Sequence, residues 1–256
     1  MSWCFLTDTL LLQLKWENEL LVVSFEQESQ HDSLEETNGD DVVCTFELPP
    51  EPLVYHRINS CHQPKLPVTA PFTTDTQDRL IIITMDNEGW DESSILVPTN
   101  LFMKSVQATA GPKGRRRIPW KQWISEYAQI ITHFPVVGPC RGIQGLKTIW
   151  FDAATSMIFI YDFNPRLTKR LLQDSKYPSR RLFAEPIYHK ILPEPIATTL
   201  PYAFHVIQTR EPMDLNVGIE SVLADDCILL LKVCATKTYC TRHYTNHYRH
   251  STNNSY

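Results

Sequence analysis

Short strand-like runs recur along this chain, and long helical patterns between them are few. Arg79–Met85, reading RLIIITM, is the strongest: its β-branched side chains suit a pleated surface, and no polar residue interrupts the isoleucines. Thr9–Trp16 and Glu19–Phe25 are apolar and joined by Glu17-Asn18, a pair suited to a tight hairpin turn. Val42–Leu48 is stopped by Pro49-Pro50. Leu146–Phe151 and Met157–Asp162 flank the turn segment AATS as a second hairpin, and Phe204–Thr209 and Cys227–Val233 complete the set. This spacing predicts an all-β chain: a sandwich, a barrel or a propeller. Only 8 glycines occur in 256 residues, so loops longer than glycine-based primed turns are expected; the 18 prolines suit strand ends.

Three segments depart from the pattern. Residues 26–41 hold seven acidic residues and no lysine or arginine, which predicts a solvated loop. Pro98–Ala110 predicts a short helix with Thr99 as N-cap and Phe102 and Val106 on one face. After Val233 the chain turns polar and irregular. The expected organisation is one β domain over residues 1–233 and a disordered tail over 234–256.

Charge and cysteine usage narrow the function classes. The formal net charge is −5, whereas general nucleic-acid binders are usually basic. No apolar run of about 18 residues predicts a membrane span. MSWCFLTDTLLLQLKW has no basic n-region, and Asp8, Gln13 and Lys15 interrupt it, so it does not read as a signal peptide. The expectation is an intracellular protein, cytoplasmic or nuclear. Its seven cysteines (4, 44, 61, 140, 227, 234, 240) are then reduced and mostly buried. The sequon at Asn253 goes unused.

Signatures of chemistry are absent. There is no G-x-S-x-G, no H-E-x-x-H and no phosphate-binding G-x-x-x-x-G-K-[ST]. Gly138, Gly142 and Gly145 lack dinucleotide spacing. Cys234, Cys240, His243, His247 and His250 do not follow zinc-finger spacing, and Asp86, Glu88, Asp91 and Glu92 do not follow calcium-loop order. The expectation is a non-enzymatic protein with no catalytic residue, no metal site and no cofactor.

One stretch raises a site question. In GPKGRRRIPWKQW, the cations Lys113, Arg115, Arg116 and Arg117 precede two tryptophans. They form a candidate interaction loop. One alternative is a nuclear import patch; another is phosphate contact with a tryptophan stacked on a base. Pro119 suits a helix N1 position, and Trp120, Trp123, Ile124, Tyr127 and Ile131 follow helical spacing. That places both tryptophans on an inward face, with the cations on the solvated loop leading to it.

The order of several motifs adds a resemblance. CTFELPP, PFTTDTQDRLIIITMD, ILVPTNLFMKSV, IPWKQW, IYDFNP and LPYAF occur in succession. This resembles the region that follows the F-box in basidiomycete fungal F-box proteins, over about residues 9–232. The resemblance implies an irregular β-propeller with a few short helices. It implies the substrate-reading end of an adaptor of a cullin–RING ubiquitin ligase, whose partners are proteins. Pro119, Trp120, Trp123, Asp162, Phe163, Asn164 and Pro165 are then structural motif residues. No helical F-box precedes the first strands, so an incomplete, open propeller without direct adaptor docking is expected. An orphan β scaffold or gene fragment without ligase coupling is one alternative. A nucleic-acid binder using Arg115–Arg117 is another, and an enzyme whose polar groups meet only in three dimensions is a third.

Overall fold

In the computed structural model, the first four strands rise and fall as a meander. β1 (Ser2–Phe5), β2 (Leu10–Lys15), β3 (Glu19–Ser24) and β4 (Val42–Glu47) are each antiparallel to the strand before. The structure describes residues 2–15, 18–25, 41–50, 53–60, 78–87, 92–109, 116–134, 141–152, 155–173, 180–189, 194–209, 218–223, 228–233 and 238–243. Most of the acidic run, Lys113, Arg115 and the tail beyond His243 lie outside these residues.

A second meander follows: β5 (Leu53–Ser60), β6 (Leu80–Asn87) and β7 (Glu92–Pro98). The chain then makes an excursion through α1 (Thr99–Thr109), β8 (Arg116–Ile118) and α2 (Trp120–Tyr127). It re-enters the sheet as β9 (Gln129–Phe134), paired with β7. During the excursion β8 joins the first sheet, parallel to β4.

The third sheet begins with β10 (Arg141–Gln144), β11 (Lys147–Asp152) and β12 (Met157–Asp162). After α3 (Pro165–Gln173) come β13 (Arg180–Phe183) and a two-stranded ribbon, β14 (Ile187–His189) with β15 (Ile196–Thr198). β16 (Tyr202–Gln208) then inserts between β12 and β13. A last sheet contains β17 (Gly218–Leu223), β18 (Ile228–Val233) and β19 (Thr238–His243). The fold is all-β, irregular and propeller-like; among the described residues there are three short helices, and no sheet closes on itself. Leading strands of successive sheets lie side by side. β1 runs beside β5, where the Ser2 hydroxyl accepts from the Ile58 N–H at 2.9 Å, and β10 runs beside β17.

The apolar run of β6 acquires its meaning here. Ile81, Ile83 and Met85 pack with Leu12, Leu20, Phe46, Phe102 and Trp123 in one core. Leu80 and Ile82 face the other way and pack with Leu146, Trp150, Phe163 and Tyr202. The second sheet is therefore covered on both faces, which explains why its strand reads as continuous rather than alternating hydrophobicity. Each such side chain contributes about 1.5–3 kcal/mol through burial.

Local expectations meet mixed outcomes. The β2–β3 turn is present, with Asn18 in the left-handed region at φ 56°. Helix α1 buries Phe102 and Val106, but Thr99 does not cap it: among the described residues its buried hydroxyl has no hydrogen-bond partner. The β7 backbone runs straight into the helix, and the Thr99 N–H instead bonds the Arg79 carbonyl at 2.7 Å. Pro119 stands one residue before α2, at the N-cap, with extended backbone. α2 ends at Tyr127, so Ile131 is buried as part of β9 and not through helical spacing. The expectation of a disordered tail is corrected at Thr238–His243, where TYCTRH pairs with β18. The threonines and tyrosine of that segment favour a strand despite its polarity.

Candidate functional site

The tryptophans of PWKQW are structural. Trp123 is 0% exposed; its indole N–H donates to the Glu47 carbonyl at 2.7 Å, and its ring meets Phe46 edge-on at 5.8 Å and Phe102 at 6.2 Å. Trp120 is buried beside it, with the Lys121 ammonium 5.7 Å from its ring centroid. Lys121 also pairs with Glu194. Neither tryptophan offers a free face to a base.

The described cations of the preceding loop sit on β8. Arg117 bridges two carboxylates of the neighbouring strands, Glu19 and, at 2.9 Å from Nε, Glu47. Arg116 is exposed. Charged side chains on a three-residue edge strand discourage further pairing. Lys113 and Arg115 lie outside the described residues, so the structure groups only two members of the candidate loop.

The Asp162–Pro165 corner shows how polar side chains turn a strand into a helix. Asp162 Oδ1 accepts the Asn164 N–H at 2.9 Å, and Asn164 Oδ1 accepts the Arg166 N–H at 2.9 Å. Asn164 is thus the N-cap of α3 and Pro165 its first residue, a placement that costs the helix no donor. Phe163, between them, is buried in the second core. Lys147 lies 3.8 Å from Asp162. This corner holds backbone in place and presents no reactive group to solvent.

One polar cluster was not foreseen from the sequence, because its members come from three separate strands. Thr198 Oγ1 donates to Gln129 Oε1 at 2.9 Å and is hydrogen-bonded to His189 Nε2 at 2.8 Å, all three being buried. Burial pushes the His189 pKa down to about 4, so the ring is neutral near pH 7. A hydroxyl beside an imidazole is also how nucleophiles are activated. Here the third member is an amide, and the hydroxyl is fully enclosed. The cluster clasps the β14–β15 ribbon to β9, aided by the Thr199 hydroxyl donating to the Ser125 carbonyl at 3.1 Å.

Burial pushes Cys4 up to about 12, which keeps it a thiol, and Cys44 is a second buried cysteine outside any disulfide. Burial likewise raises the Tyr161 and Tyr202 phenols. Among the described residues no three His, Cys, Asp or Glu side chains gather as a metal would require, and no helix is long and apolar enough to cross a membrane.

The surface carries the most distinctive feature. On β1, Trp3 and Phe5 point outward while Cys4 points into the core, the alternation a strand imposes. Trp3 is 56% exposed, Phe5 39% and Phe25, just past β3, 44%. Their rings form a chain of edge-to-face contacts, with centroids 5.5 Å apart from Trp3 to Phe5 and 5.9 Å from Phe5 to Phe25. Leu11, opposite Phe5 in the register, and Val23, opposite Leu11, extend the face as half-buried residues. The signal was present in SWCF, whose two aromatics two residues apart must share one face of a strand. Comparison with family models, curated proteins and solved structures gives no match to this chain.

Proposed function

We propose that this chain is a protein-binding module without chemistry of its own, related in role to the substrate-reading end of F-box adaptors. The observation that carries the reading is the Trp3–Phe5–Phe25 aromatic face on the first sheet. Contiguous exposed aromatics are costly in water and mark interaction sites, and aromatic residues are enriched at interface cores. The exposed parts of the three rings amount to roughly 300 Å². A stable domain-to-domain interface needs about 800 Å² from each partner. The occupant is therefore a short apolar segment of another protein, which rigid aromatic rings grip at small entropic cost.

The test is selection of a displayed dodecapeptide library on the full chain, repeated with the Trp3→Ser/Phe5→Ser variant. Enriched peptides should carry aliphatic or aromatic anchors and bind the variant about tenfold or more weakly, as hot-spot loss does. Far-UV circular dichroism establishes that the variant is folded. Peptides that bind both forms equally would overturn the reading. A dimer of the wild-type chain that the same pair of substitutions dissolves would overturn it too, because the face would then belong to a second copy.

A further inference from the structure

Helix α3 presents a second surface of opposite character. Arg166, Lys169 and Arg170 fall at i, i+3 and i+4, so they share one face, and all three are exposed. The opposite face holds buried Thr168 with half-buried Leu167 and Leu171, and it packs on β16 and β13. β13 adds the exposed Arg181. Among the described residues none of these four cations makes an ion pair, in contrast to Arg117, Lys121 and Lys147.

The arrangement works against the helix that bears it. Like charges at i, i+3 and i+4 repel, and no acidic residue lies within α3 to offset them. Arg166 stands in the first turn, where the helix dipole disfavours a cation. Only Arg170, in the last turn, sits where the dipole favours it. Next to these charges Leu172 is 66% exposed, an apolar side chain turned away from either core.

We propose that this face docks an acidic segment of a partner protein. Carboxylates would pair with Arg166, Lys169, Arg170 and Arg181, and an apolar residue of the same segment would cover Leu172. A helix of nine residues is about 13 Å long, which matches roughly four residues of extended chain. The chemistry fits a peptide better than a nucleic acid. A chain of net charge −5 repels a phosphate polyanion at long range, whereas a short run of carboxylates carries less charge and its own apolar side chains. The surface is separate from the aromatic face, so the two proposals stand or fall independently.

The test uses the full chain and a fluorescein-labelled peptide of alternating glutamate and leucine, read by anisotropy, beside a labelled single-stranded oligonucleotide. The wild-type chain should bind the peptide, and added salt should weaken the binding. The triple variant Arg166→Gln/Lys169→Gln/Arg170→Gln should lose roughly tenfold in affinity. The control Lys15→Gln/Arg57→Gln/Lys104→Gln removes the same charge from exposed positions elsewhere and should bind as wild type. The single exposed change Lys169→Glu gives a milder variant whose loss should point the same way. Equal loss in the control, unchanged peptide binding in the triple variant, or tighter binding of the oligonucleotide than of the peptide at equal salt would each overturn the proposal.

Discussion

Trp123 Nε1 donates its proton to the Glu47 carbonyl at 2.7 Å, tying the helix of an inserted excursion to the last strand of the first meander. The bond sits at Glu47, the last residue of β4. Trp123→Phe keeps most of the ring contacts with Phe46 and Phe102 and removes only the donor. It should cost about 1–3 kcal/mol, and Trp123→Ala about 3–5 kcal/mol. Urea unfolding followed by circular dichroism gives both values. Equal costs for the two variants would show that the hydrogen bond, and not the ring, is what matters.

Asp162 Oδ1 accepts the Asn164 N–H at the start of α3. Asp162→Ala should destabilise by about 1–2 kcal/mol, because the Asn164 N–H loses its partner next to a helix start. Asp162→Asn keeps an oxygen at the same place and should recover most of that loss. The melting temperatures of the two variants make the comparison.

His189 sets a pH dependence. Its pKa in the fold, about 4, lies below the ordinary 6.5, so between these values the unfolded chain binds more protons than the folded one. Stability is fully present above pH 6.5, falls as pH drops toward about 4, and loses nothing further from this residue below that. The total is on the order of 3 kcal/mol. His189→Gln should flatten the profile in this window when unfolding midpoints are measured across it. An unchanged slope would assign the effect to other groups.

Gly145 lies in the two-residue turn between β10 and β11 with φ 54°, and its carbonyl accepts the Leu80 N–H at 2.9 Å. A Cβ there would meet the Asp78 carbonyl oxygen at 3.4 Å, an ordinary contact, so the cost of Gly145→Ala comes from the backbone. About 1 kcal/mol is expected by thermal unfolding.

Much of the architecture was legible because strand pairs close in sequence announce themselves. The hairpins β2–β3 and β11–β12 and the buried run of β6 follow from β-branched alternation and turn residues alone. Three-residue strands such as β8, β14 and β15 carry too few residues to show a period, and their pairing depends on distant partners. α3 was missed although Asn164-Pro165 is a helix-start signature, because its leucines face β16 and β13 over barely two turns. The inward turn of Trp120 and Trp123 was legible from their spacing. The Arg117 bridge to Glu19 was not, since 98 residues separate the partners.

The parallel pairing of β8 with β4 has a consequence for synthesis. The N-terminal meander leaves the ribosome first, yet the strand that flanks it ends at Ile118, and Phe102 and Trp123 of its core come from the same excursion. At bacterial or eukaryotic translation speeds the delay from β4 to β8 is about 4–14 s. For that interval Leu12, Leu20 and Phe46 lack their later partners, and the β4 edge is open to other chains. Nascent chains stalled before β8 are thus the species most dependent on chaperone shielding, and slowing translation should lower soluble yield more than lowering expression does.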